Sequence, residues 1–228
     1  MVRVVQIYLA ANFQQAAFLA TSAQLFRGFL DQQGLFVFLL IVGSSGAIAD
    51  DRRANALQLY LSKPLTRVEY IAGKLFAPLA FVLGITLLPA LLLLVVHVAF
   101  AGSLTFVRQN LYLLPAILLL SVTQALVGTF TMVALSSLSK SRRFTALTFT
   151  GLFFFTTAMY QALLRITGSG LWALMSPRDL LSVIGDAAFR IQGPRALPLW
   201  GALLGVAVIL VLSVAVLERR IRGVEVVT

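Results

Sequence analysis

The chain contains no cysteine. That excludes a disulfide framework and a thiolate metal site. It holds one histidine, His97, and eight acidic residues in 228. Charged residues make up 11% of it, about half the share of an average soluble domain. The acids are Asp31, Asp50, Asp51, Glu69, Asp179, Asp186, Glu218 and Glu225, and all lie outside the centres of the long apolar runs. Carriers driven by ion or proton gradients place a charge at mid-membrane, so the pattern argues against that class. His97 stands near the end of an apolar run and reads as a packed residue rather than a proton relay. Catalytic patterns are missing as well: there is no H-E-x-x-H, no G-x-S-x-G and no carboxylate pair inside the runs. "AGK" at Ala72–Lys74 is not a phosphate loop, because Val68 stands where the upstream glycine would be. "GSSG" at Gly43–Gly46 reads as small residues that permit close helix approach. The opening "MVRVVQIYLAANFQQ" lacks the apolar core and cleavage site of a secretory signal.

What the chain does have is apolar length. It is 60% hydrophobic, with a mean hydropathy of +0.96. Five runs approximate the 17–25 residues that cross a bilayer: about Gln33–Ala49, Leu75–Ala101, Tyr112–Leu138, Phe144–Leu164 and Leu197–Leu217. The second and third are slightly long and have room to tilt or protrude. The residues predict an all-α integral membrane protein, a polytopic helical bundle with five clear spans. Val4–Phe26 is interrupted by Gln6, Asn12, Gln14, Gln15 and Gln24; three readings stand open, a poor sixth span, the tail end of a further span and a helix on the outer face, of which the tail end is favoured.

The net charge of +10 is not a nucleic-acid stripe. The basic residues gather at the ends of the runs, where the positive-inside rule places them. Arg52, Arg53, Lys63, Arg67, Lys74, Lys140, Arg142, Arg143, Arg219, Arg220 and Arg222 fall on one side, in the shorter connections. The 50–74 loop and the C-terminus are therefore expected in the cytoplasm. On the outer side, residues 165–196 carry "SPRD": Ser176 as N-cap, Pro177 at the first helical position and Asp179 at the third. Leu180, Leu181, Ile184, Ala187 and Ala188 follow at helical spacing, which predicts a short amphipathic helix lying at the outer interface before the last span. The spans themselves are mildly polar. Thr123, Gln124 and Thr131 in the third, and Thr145, Thr148, Thr156, Thr157 and Gln161 in the fourth, are suited to interhelical hydrogen bonds and packing. A substrate pathway would use the same residues, Thr123, Gln124 and Thr131 among them.

The polar stretch "IADDRRANALQLYLSKPLTRVEYIAGK", Ile48–Lys74, divides at Pro64. Before it, residues 50–63 can form an amphipathic helix of about three turns, capped by Asp50 or Asp51. Pro64 disfavours helix at Lys63 and ends it. After it, Thr66 and Glu69 form a capping box, with Leu65 and Tyr70 placed as a hydrophobic staple. A second helix then runs through Gly73 and Lys74 into the next span. Two readings of the first helix stand open: a membrane-surface helix, or a docking helix whose apolar face fills a partner's groove.

"LYLSKPLTRVEYIAGK" resembles the signature of ABC-2 type permeases, the membrane subunits of ABC exporters. The matching positions are Asp50 or Asp51, Leu57, Leu59, Tyr60, Leu61, Ser62, Lys63, Pro64, Arg67, Gly73 and Lys74. "ALSSLSKSRR" in the next loop, a long outer segment and a short basic tail fit the same layout, from about Gln33 onward. The resemblance implies one permease domain over 1–228, with six spans and the first reduced to "VVQIYLAANF". It implies a coupling helix between the first two clear spans, on which a separate ABC ATPase docks through Arg53, Asn55, Leu57, Leu59, Tyr60, Leu61, Ser62, Lys63 and Pro64. Thr66, Arg67, Glu69, Gly73 and Lys74 would start the lever into the membrane. It also implies pairing with a second permease subunit, a bacterial-type plasma membrane, no cofactor on this chain, and ATP-Mg held by the partner. The competing classes are a non-transport membrane scaffold or assembly factor, and a membrane enzyme, for which no catalytic group stands out.

Overall fold

The computed structural model describes residues 22–56, 66–101, 110–191 and 197–222. They form helices and no strand. The helices are α1 (Ser22–Gln32), α2 (Gly34–Gly43), α3 (Ala49–Arg53), α4 (Arg67–Ala101), α5 (Leu113–Leu138), α6 (Arg142–Thr167), α7 (Pro177–Ala188) and α8 (Leu199–Arg222). Five stretches are long and apolar enough to cross a membrane: Ala23–Arg53, Val68–Ala99, Leu113–Leu138, Arg142–Thr167 and Leu199–Arg220. The protein is a multi-pass membrane helical bundle, with α5 at its centre, touching α4, α8, α7 and α6.

The first span begins earlier than its apolar run. Residues 22–26, assigned from sequence to the tail of a preceding span, belong to α1. Helical hydrogen bonding continues through the α1–α2 junction, from Gln33 N to Phe29 O and from Val37 N to Gln33 O. The polar residues Arg27 and Asp31 of this stretch pair with each other. Ala23, Phe26 and Leu30 are buried against Ala90 of α4 and Leu113, Ala116, Ile117 and Leu120 of α5. Phe26 meets the His97 ring at 6.2 Å between centroids, so His97 is a packed residue.

Arg27 is the polar tie of this layer. Its side chain is 8% exposed. Nε reaches Asp186 Oδ1 at 3.2 Å, Nη2 donates to Ser182 Oγ at 3.0 Å, and Nη1 pairs with Asp31. The guanidinium lies over Gly185, where an added Cβ would stand 2.7 Å from Nε. A planar fork that serves three acceptors in fixed directions suits this site better than an ammonium.

The short helix α7 starts as its sequence dictates. Ser176 Oγ accepts from Asp179 N at 3.4 Å, and Pro177 opens the first turn. It ends in a Schellman motif: Ile191 N donates to Asp186 O at 2.8 Å and Arg190 N to Ala187 O at 3.1 Å. Arg190 takes the left-handed position at φ 55°, its guanidinium 4.6 Å from the Tyr112 ring centre. The apolar face of this amphipathic outer helix is covered by protein. Leu180, Val183 and Ile184 are buried with Val127, Tyr160, Ala173, Leu197, Ala202 and Val206. The apolar face of α7 is wedged between α5 and α8, and covers protein rather than lipid.

Helix α4 has 35 residues, about 52 Å of helix against roughly 30 Å of hydrocarbon. Much of it must extend beyond the membrane core. Pro78 and Pro89 lie within it; each removes one backbone hydrogen bond and offers a bend. Phe76, Phe81, Leu88, Leu92 and Val95 are exposed along it, as lipid contact requires.

Replacing Arg27 with alanine removes its contacts with Asp31, Ser182 and Asp186. We expect a loss of roughly 2–4 kcal/mol, read as a lower unfolding midpoint in detergent micelles. Arg27→Lys should recover only part of it.

Candidate functional site

The polar loop meets the bundle where α2 runs out. After Gly43 the helix tightens into a 3-10 turn, Ser44–Gly46, and turns into α3. A break of this kind leaves backbone groups without helical partners. Here the α5–α6 hairpin supplies them. Ser136 Oγ, fully buried at the end of α5, accepts from Ile48 N at 3.0 Å and from Ala49 N at 2.9 Å. The same hydroxyl donates to Ser45 O at 2.8 Å. Arg142 Nη2 donates to Gly43 O at 3.0 Å. Arg52 returns the tie, its Nη1 donating to Ser137 O. A Cβ at Gly46 would run into the Asp50 carboxylate and stand 3.2 Å from Arg142 Cδ. Close approach is therefore one use of "GSSG"; the other is to present two carbonyls as acceptors.

This differs from the expected capping by Asp50 or Asp51. Neither carboxylate caps α3, whose N-cap position is Ile48. Both occupy its first turn, where they complement the helix dipole. Asp51 serves a longer contact: its Oδ2 accepts from Tyr70 Oη at 2.7 Å and pairs with Lys74 Nζ at 2.6 Å. Lys74 Nζ also lies 5.7 Å from the Tyr70 ring centre. The first turn of the loop is thus bound to the first turns of α4. Beneath it Ile48, Tyr70, Leu75, Val133, Ala134 and Leu217 form one buried cluster that joins α3, α4, α5 and α8.

The start of α4 is fixed locally. Thr66 N donates to Glu69 Oε2 at 2.8 Å, Thr66 Oγ1 donates to the same oxygen at 2.9 Å, and Glu69 N donates to Thr66 Oγ1 at 3.3 Å. That is a closed capping box. Arg67 opens the helix, and Gly73 is exposed with open space around it.

The predicted helix over 50–63 is not continuous. It stops at Arg53, and Asn55 takes a left-handed backbone at φ 52°. Asparagine tolerates that conformation better than most residues, so "RAN" terminates α3, and helix resumes at Ala56. Arg53 and Asn55 are exposed at this bend. The other docking candidates, Leu57, Leu59, Tyr60, Leu61, Ser62, Lys63 and Pro64, lie outside the described residues, as does the staple residue Leu65.

A second feature lies deeper. A cleft of about 590 Å³ opens between α1–α2, α5, α6 and α7. Leu35, Phe38, Ile41, Phe149 and Phe153 give it apolar walls, and Arg27, Asp31 and Arg178 stand among its polar lining residues. Phe38 packs 5.3 Å from Phe153 and 6.0 Å from Phe149, ring to ring. Of the pathway candidates, Gln124 and Thr131 line this cleft and Thr123 does not. The threonines are not interhelical bridges: Thr123, Thr131, Thr145, Thr148 and Thr156 each donate to a carbonyl of their own helix or its cap. Thr157 reaches another element, with its Oγ1 3.4 Å from Ser176 Oγ.

A family model described as ABC-2 family transporter protein matches residues 6–183. The chain belongs to that family. The matched stretch contains the joint around Ser136, the start of α4 and the cleft-lining residues named above. Members of the ABC-2 family are normally non-catalytic membrane subunits. No curated protein matches the chain. Ser136 lies within the "ALSSLSKSRR" stretch that carried part of the resemblance, but nothing local announced its contact with Ile48, 88 positions away.

Ser136→Ala leaves two buried amides and one carbonyl without partners, a cost of roughly 2–4 kcal/mol. We expect a lower unfolding midpoint and faster proteolysis after Arg53, whereas Ser139→Ala, which removes exposed hydrogen bonds to Ser141 alone, should have a much smaller effect on both.

Proposed function

We propose that this chain is the membrane-spanning permease subunit of an ATP-driven exporter, with a separate ABC ATPase docked on the 50–74 loop. The observation that carries this reading is the joint: Asp51 binds Tyr70 and Lys74, and Ser136 binds the backbone at Ile48 and Ala49. A push on the loop is then delivered to α4 and α5 together rather than absorbed by slack. The capping box gives α4 a defined first turn, so displacement of the loop is passed to the helix start, ahead of Pro78. ABC-2 family membership supports an ATPase partner. In this reading ATP-Mg is held by that partner and no cofactor by this chain, which lacks a phosphate loop at Ala72–Lys74.

The same reading makes residues 1–228 one permease domain, paired with a second permease subunit, identical or related. Its membrane is a bacterial-type plasma membrane, with the loop, the Ser139–Arg143 turn and the C-terminus on the cytoplasmic, basic side. The cleft walled by α2 and α6 is the candidate route for substrate, with Gln124 and Thr131 on it.

Docking is tested by co-purifying the ATPase with the permease. Pro64→Ala combined with Leu57→Asp puts a charge on the apolar face and removes the helix stop. We expect at least a tenfold loss of bound ATPase with the permease still inserted; unchanged association would overturn the docking role.

A further inference from the structure

The cleft between α1–α2, α5, α6 and α7 has two chemically different ends. Its deeper part is hydrocarbon. Phe38 of α2 meets Phe154 edge-on at 5.6 Å between ring centres, and Phe149 stacks on Phe153 at 6.3 Å. All four rings line the cleft, and a phenyl ring has no polar tip. The outer end is charged, by Arg27, Asp31 and Arg178. Arg27 is committed to Asp31, Asp186 and Ser182. Arg178 is exposed and has no ion pair or hydrogen bond with a described residue. The acids on this side of the bundle are Asp31, Asp179 and Asp186. Asp179, next to Arg178 in sequence, is buried and has a contact of its own. Of the undescribed residues only Glu225 is acidic, and it follows α8 at the loop end. The lining therefore holds one cation, Arg178, with no carboxylate of this chain set against it.

Gln124 stands between the two ends. It lies eleven residues after Leu113, about 16 Å along α5. It lines the cleft half-buried, and its amide has no hydrogen bond with a described residue. An amide at that depth is satisfied only by what fills the cleft. The volume, about 590 Å³, suits one drug-sized molecule. It is small for a headgroup with two acyl chains.

We propose that the cleft takes a small amphipathic anion, an inference that rests on reading it as the substrate route. The carboxylate, sulfate or phosphate of the ligand meets Arg178, its ring or branched hydrocarbon body lies against Phe38, Phe149 and Phe153, and a hydroxyl or carbonyl on that body meets Gln124. A cationic amphiphile would bring its charge to Arg178, and the one carboxylate of the lining, Asp31, is already paired with Arg27.

The test uses the full chain in phosphatidylcholine nanodiscs at neutral pH, without ATP or ATPase. The probes share one shape: naphthylbutanoate, naphthylbutanol and naphthylbutylamine. Binding is read by titration calorimetry, with empty discs subtracted. We expect the carboxylate to bind roughly tenfold more tightly than the amine, with the alcohol between them. Arg178→Gln should bring all three within about twofold at an unchanged unfolding midpoint, and Arg178→Lys should keep the order. Arg165→Gln removes an exposed arginine from the same side but outside the cleft lining, and should keep the order too. A hydroxyl on the naphthyl ring should tighten binding about threefold, and Gln124→Leu should cancel that gain. In about 0.5 M salt, which screens the surface potential, a quarter of phosphatidylglycerol in the discs should not displace the carboxylate probe.

The proposal is overturned if no probe binds above the empty discs, if the amine binds as tightly as the carboxylate, or if Arg178→Gln leaves the preference intact. It is overturned too if Arg165→Gln removes the preference equally, if the hydroxyl gain is absent or survives Gln124→Leu, or if phosphatidylglycerol displaces the probe and so makes the occupant a lipid. Binding is read without ATP, so these outcomes stand whether or not ATPase docking and ATP-driven export hold. An intact anion preference without ATP-driven transport would count against the route and not against the site.

Discussion

A membrane helix that stops must leave backbone amides and carbonyls without helical partners, and an apolar surrounding offers no water to take them. The rest of this structure's loop end depends on how that is solved after Gly43. One hydroxyl does most of it. Ser136 Oγ takes two amides and gives its proton to one carbonyl, which uses its full hydrogen-bonding capacity. The first span can therefore turn into a polar loop without unpaired groups at Ser45, Ile48 and Ala49, and α5 becomes part of the turn. Arg142 and Arg52 repeat the exchange in opposite directions between the same two segments.

With the turn fixed to α5, the ion pair at Asp51 gains meaning. A partly buried salt bridge trades Coulomb attraction against desolvation and is weak evidence of stability on its own. Here it sits over a buried apolar cluster that includes Tyr70 and Leu75 of α4, so geometry rather than charge alone keeps α3 and α4 in register. The opposite end of the bundle uses the same device. Arg27 joins α1 to α7 through Asp186 and Ser182, and the apolar face of α7 is wedged against α5 and α8. The central helix is held at its loop end by polar contacts from Ser45, Ile48 and Ala49, and at the other by apolar contacts from α1 and α7, which Arg27 ties to each other.

Much of this was legible beforehand, where the determinants are local. Apolar run length placed the five spans. Thr66 with Glu69, and Ser176 with Pro177 and Asp179, announced two helix starts because capping depends on residues three apart. The unread parts are those that depend on distant partners. Arg27 fell outside the apolar run read as the first span, because nothing local shows that it faces Asp186. Ser136 stood inside "ALSSLSKSRR" with no role of its own, because its acceptor and donors come from Ser45, Ile48 and Ala49. Asn55 was a missed local signal: an asparagine after two arginines can end a helix by a left-handed turn, and helical periodicity on either side of it hid that. The amphipathic pattern of α7 was read correctly, but periodicity does not say whether lipid or protein covers the apolar face.

The central claim is that Ser136 makes the first turn of the loop part of the bundle. Hydrogen–deuterium exchange of the chain in a bilayer measures this directly at two amides. Ile48 and Ala49 should exchange as slowly as the amides of α5, and far more slowly than Asn55 and Ala56 just beyond the bend. Exchange at Ile48 and Ala49 as fast as at Asn55 would contradict the account, because the loop would then be hinged to the bundle rather than locked to it.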